Sequence, residues 1–175
     1  MRWIPFAILL YLTAVLQSTL APFLAVHSIR PDFLVIVAVH YALAARATDA
    51  LIACWIIGFV TDLTTLSIGE YGNVGIHAFA FGLAALAIVA LREITFRESV
   101  ITQIVCTFLA RVVVAGVTGL HLLWVADAWS RTGEILLVGV YSAAYTAAIA
   151  PYGHWLLRRG RGLLGIGVTH RLRVG

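Results

Sequence analysis

Charge is scarce in this chain, and lysine is absent. Of 175 residues only 11% are charged, and all twelve basic ones are arginine, against about 25% charged in an ordinary globular domain. There is one methionine, and only four prolines break 62% hydrophobic content. Mean hydropathy is +0.99. A water-soluble core-and-surface design is excluded by these shortages, and with it any separate soluble catalytic domain. The two cysteines, Cys54 and Cys106, lie inside apolar runs. That rules out a disulfide framework, and neither has metal-ligand spacing, so both read as small buried apolar residues. The six histidines show no H-x-x-x-H or Cys/His spacing. No phosphate-binding loop, nucleophile elbow, HExxH or dinucleotide glycine pattern occurs either. Expectation is therefore of no metal, no cofactor and no enzyme.

What is present is a succession of apolar runs. A spanning helix needs about 20 mostly apolar residues. Charges, glycines and prolines divide the chain into six candidates, at 3–26, 31–47, 50–68, 74–91, 99–125 and 135–157, followed by a basic tail at 158–175. The second is the shortest, with 13 uncharged residues between Asp32 and Arg46. Its start is marked by Pro31, which suits a first helical position, and by Asp32, which favours the positive end of the helix dipole. The fold class expected is an all-α membrane protein, a bundle of six transmembrane helices.

Arginine placement sets the orientation. With six spans and the N-terminus inside, nine arginines face the cytoplasm, Arg30 and Arg131 face outward, and Arg111 lies in the membrane. Taking the second segment out of the membrane would turn the five-Arg tail outward, against the positive-inside rule. Both termini are thus expected in the cytoplasm of a bacterial inner membrane. The net charge of +4 is explained by topology and by anionic lipid at the tail, and nucleic acid is not an expected partner. Trp3, Tyr152 and Trp155 fall at the inner interface, and Tyr71, Trp124 and Trp129 at the outer one. Trp55 falls at neither and is expected to pack between helices.

Two intramembrane charges stand out. Asp62 lies 12 residues beyond Ala50 and Arg111 12 beyond Ser99; at a rise of about 1.5 Å per residue both sit roughly 18 Å from the inner surface. Ions inside a membrane pair or serve a function. Asp62 and Arg111 are therefore expected either to clamp two helices or to leave Asp62 in a polar site for a ligand or partner. Around Asp62 runs the most distinctive text of the chain. Gly58, four residues before it, bares backbone for close helix approach on the same face. Gly69, Gly72, Asn73 and Gly75 then make a tight loop, and His77 opens the next span as a local hydrogen-bonding group. Small residues such as Ala115, Gly116, Gly119, Gly139, Ala143 and Ala147 mark helix contacts.

Pro31-Asp32-Phe33-Leu34 opening span two, Arg46 closing it, Gly58-x-x-x-Asp62-Leu63, the glycine-rich loop, and Gly75-Ile76-His77-Ala78 together resemble MreD, the small membrane component of the bacterial rod-shape machinery (the elongasome). One departure is Glu70-Tyr71, where the family loop often carries proline. The resemblance implies a non-enzymatic scaffold that binds MreC directly, in a complex with MreB, the RodA glycosyltransferase and a class B penicillin-binding protein, and it leaves a homo-oligomer open. It also implies a fold similar to the substrate-binding S-components of ECF vitamin transporters. The alternative reading is accordingly a carrier subunit for a small molecule. Such a subunit should show an Ala-x-x-x-Ala docking face in span one, where only the terminal Ala21/Ala25 pair fits.

Overall fold

The computed structural model describes residues 2–27, 29–65, 74–92, 99–127 and 129–160. They form six helices: α1 (Trp3–Thr19), α2 (Phe33–Ala44), α3 (Ala47–Thr65), α4 (Ile76–Leu91), α5 (Val100–Val125) and α6 (Thr132–Arg159), with a short 3-10 turn, Trp129–Arg131, before the last. Among the described residues the only extended pairing is an isolated bridge between Val26 and Ile29. Helices at 47–64, 100–125 and 129–159 are long and apolar enough to cross a membrane; α1, α2 and α4 are apolar and shorter.

The architecture is organised around its shortest helix. α2 has 12 residues, and ten consecutive ones, Leu34 to Leu43, are buried. A helix that is apolar all round belongs in a protein core or in a membrane, and α2 is in the core: it touches α1, α3, α4, α5 and α6. Tyr41, Leu34, Val35 and Val39 are among the most deeply buried side chains of the protein. The surrounding helices turn large apolar side chains outward: Ile4, Ile8 and Tyr11 on α1, Ile101 on α5, Leu136 and Tyr141 on α6. Apolar groups inside and outside alike are what a bilayer solvent calls for.

Both ends of α2 are closed by polar groups. Asp32 is its N-cap, and the Asp32 carboxylate accepts from Val35 N–H at 3.2 Å. Pro31 is not the first helical residue, as expected from its residue type: it precedes the cap, fully buried, and its carbonyl accepts from the Gln17 amide at 3.1 Å. At the other end the Arg92 guanidinium donates to the carbonyls of Ala42 and Ala45, each at 2.7 Å. These are among the orphan acceptors that every helix C-terminus leaves.

α1 also stops early, at Thr19 rather than 26. Ser18 and Thr19 turn their hydroxyls back onto the carbonyl of Val15, at 3.0 and 2.7 Å, and Pro22 has no N–H to continue the ladder. Trp55, expected between helices, is instead half-exposed, stacked on Phe59 at 6.1 Å between ring centroids. At the opposite faces of the bundle, Tyr152 stacks on Trp155 at 5.8 Å, with Arg159 over the Trp155 ring, and Trp124 meets Trp129 edge-on at 6.5 Å.

Candidate functional site: the buried carboxylates of the bundle

α3 and α4 cross backbone to backbone. Gly58 is the reason: a Cβ there would lie 2.6 Å from Ala78 Cα and would collide with the carbonyl of His77 as well. Close approach of this kind is what small residues permit between membrane helices. One turn further along α3, it brings Asp62 against the start of α4.

There the carboxylate of Asp62 does what a capping side chain ordinarily does. The N-cap of α4 is Gly75, with φ +110° and no side chain to offer. Asp62 supplies the acceptors from the neighbouring helix. Gly75 N–H donates to its Oδ2 at 2.9 Å, His77 N–H to Oδ1 at 3.0 Å, and Ala78 N–H to Oδ2 at 3.1 Å. The imidazole of His77, donating through Nδ1, adds a fourth bond to Oδ1 at 2.9 Å. Both carboxylate oxygens are used, and the side chain is 2% exposed. A helix N-terminus carries orphan N–H groups and the positive end of a dipole, so it is a natural seat for a buried anion. Gly69 and Gly72 lie outside the described residues.

Asp62 does not meet Arg111. The Arg111 Nε lies instead 3.5 Å from Asp32 Oδ2, with both side chains largely buried. Matched depth was the ground for expecting the Asp62 pair, but depth is one coordinate of three. α2 and α4 each pack against both α3 and α5 and stand between them. α2 also has only 12 residues, about 18 Å at 1.5 Å per residue. Its N-cap therefore sits at the depth of Arg111 rather than at the surface.

Asp32 belongs to a knot of polar groups from four helices. Its N–H donates to Thr146 Oγ1 on α6 at 3.1 Å. Phe33 N–H donates to the Gln17 amide oxygen on α1 at 2.8 Å. Ser142 on α6 donates to the carbonyl of Arg30 at 3.2 Å. A second buried contact was invisible in the sequence: His40 on α2 and His154 on α6, 114 positions apart, face each other with Nδ1 atoms 3.3 Å apart. The only signal for it was the general rule that an ionisable group inside a bundle has a partner. Among the described residues no group of three or more His, Cys, Asp or Glu could hold a metal ion.

The described helices also outline spaces between them. A groove of about 680 Å³ between α3 and α4 is lined by Trp55, Phe59, Gly75, Ala78, Phe79 and Gly82 among others. Another of about 320 Å³ runs between α5 and α6; a Cβ at Gly119 or Gly139 would come within 3.1 Å of the facing helix. Between α2, α3, α4 and α5, in contrast, the interior space lined by Val35, Cys54, Phe81 and Ala110 amounts to about 10 Å³.

The chain matches the family model described as rod shape-determining protein MreD over residues 1–142. It belongs to that family. No curated protein and no solved structure matches it.

Proposed function

From membership of the MreD family, which gives the chain a role in rod-shape determination, we propose a non-enzymatic membrane scaffold of the wall-elongation machinery. It binds MreC directly and helps to position RodA and its class B penicillin-binding protein beside MreB. The observation that carries this reading is the Asp62 cap. Four hydrogen bonds fix the start of α4 against the end of α3. Binding residues tend to sit where a firm scaffold places them, and this clamped junction of two helices suits partner recognition. The topology belongs to the same proposal: six spans in the inner membrane, both termini cytoplasmic, on the nine-to-two division of arginines, with the tail 158–175 on anionic lipid.

One observation weighs against a vitamin-carrier subunit: the Ala21/Ala25 pair is not on a helix face, because α1 ends at Thr19 and Ala21 is buried.

Co-purification from native membranes tests the proposal. Gly75→Val forces a β-branched residue into a left-handed backbone, and Asp62→Asn removes the anion. Both should lose most MreC while the protein still inserts and accumulates. Full retention of MreC by both variants would contradict the reading, and a tightly held vitamin-like molecule in the purified protein would replace it with the carrier.

A further inference from the structure

The connection between α1 and α2 is built unlike a loop in water. Many of its backbone groups are satisfied from within the protein. Leu20 N–H continues the α1 ladder to Leu16, and Phe23 and Leu24 both donate to the Leu20 carbonyl, at 3.1 and 3.2 Å. Ala25 N–H reaches the carbonyl of Pro22, and Val26 and Ile29 exchange both of their N–H···O bonds, at 3.0 and 2.9 Å. His27 takes φ +49° to close that bridge. Pro22 and Pro31 have no N–H to satisfy. Three further carbonyls are taken by side chains from the helices: Leu24 by the Tyr145 hydroxyl at 2.9 Å, Arg30 by Ser142, and Pro31 by Gln17.

Solvent-exposed loops leave such groups to water. Inside hydrocarbon they have no such recourse, and non-helical backbone survives there only when the protein itself supplies the partners. While the backbone is turned inward, the side chains are turned out. Phe23 is 87% exposed and Val26 55%, with Leu20 and Leu24 beside them. No charged residue occurs from Trp3 to Ile29.

Length points to the same place. α1 has 17 residues and α2 has 12, which are about 25 Å and 18 Å at 1.5 Å per residue, against roughly 30 Å of hydrocarbon. With their other ends at the inner interface, neither helix reaches the far side, and the segment joining them starts and ends below it. Arg30, exposed at the end of the apolar stretch, is long enough to snorkel upward. On the same side of the bundle, the connection through Trp129–Arg131 looks quite different: it exposes Ser130 and a surface ion pair between Arg131 and Glu134.

We infer that residues 20–27 and 29–32 form a lipid-embedded segment, with Phe23, Leu24 and Val26 in contact with the acyl chains of the outer leaflet. The word "outer" rests on the six-span topology proposed above; burial in lipid does not.

Nitroxide labels separate the two. Phe23→Cys, Val26→Cys and Ser130→Cys are made in the full chain, where Cys54 and Cys106 are buried and the unsubstituted protein serves as the labelling control. Each is reconstituted in phosphatidylethanolamine–phosphatidylglycerol vesicles. Collisions with dissolved oxygen should exceed those with a water-soluble nickel chelate several-fold at 23 and 26, and the order should reverse at 130. Nickel access at 23 and 26 equal to that at 130 would put the segment in water and overturn the inference. Shielding from both quenchers would mean that protein, a partner or a second copy, covers the segment, and would overturn it as well. On intact cells, a membrane-impermeant thiol reagent should label Ser130→Cys from outside. Failure of that arm alone would move the segment to the inner leaflet and sink the topology, leaving its burial in lipid in place.

Discussion

Among the described residues, Asp62 and Asp32 are carboxylates within the bundle, and they are held in different ways. Asp62 accepts four hydrogen bonds at 2.9–3.1 Å, three from backbone N–H groups and one from the His77 imidazole, and is 2% exposed. Asp32 has a full counter-charge in Arg111, but at 3.5 Å, with 17% of the side chain exposed and one bond from its own helix. Both sit at a helix N-terminus, and the better-enclosed anion is the one that takes three N–H groups of a neighbouring helix, not the one that caps its own helix and faces a guanidinium. An ion pair must recover the desolvation of two charges. A row of N–H groups already buried at a helix start needs an acceptor in any case, so one carboxylate there satisfies several groups at once.

The comparison can be broken at several points, and the largest effect is expected at Gly58. Gly58→Val places side-chain atoms into the α4 backbone, which cannot give way as a flexible side chain would. Loss of folded protein after detergent extraction, seen by size-exclusion chromatography, is the expected outcome; a well-behaved Gly58→Val would show that the helices are not in backbone contact. Next comes Asp62→Ala, which strands buried N–H groups, each worth about 1–3 kcal/mol when unsatisfied. Its total cost should be on the order of 3 kcal/mol or more, read as a lowered midpoint in thermal unfolding. Asp32→Ala should cost less, about 1–2 kcal/mol, mainly as the loss of an N-cap. If Asp32→Ala proves the more damaging of the two, the ranking drawn from the two environments is wrong. At the bottom of the scale, Glu134→Gln removes an ion pair whose side chains are 66% and 61% exposed and should leave the melting temperature unchanged.

Hydropathy made the helical class legible, because long apolar runs have no other use in so uncharged a chain. Where α1 ends was not legible in the same way. Residues 20–29 are as apolar as the helix before them, and hydropathy cannot tell a helix from a segment some of whose carbonyls are taken by Tyr145, Ser142 and Gln17. Those partners sit more than 100 positions away in two of the three cases. The Gly58–Asp62 spacing did point to a close helix contact with a carboxylate beside it. What it did not reveal was the partner, since lateral order in a bundle is set by packing, and α2 and α4 intervene between Asp62 and Arg111. His40 and His154 escaped notice for the same reason.

Paired double-mutant cycles on thermal stability test this arrangement most directly. One combines Asp32→Ala with Arg111→Ala, the other Asp62→Ala with Arg111→Ala. Residues in contact couple by roughly 0.5 kcal/mol or more, while distant ones add within about that amount. The structure predicts coupling in the Asp32 cycle and additivity in the Asp62 cycle. Coupling between Asp62 and Arg111, with Asp32 and Arg111 additive, would contradict it.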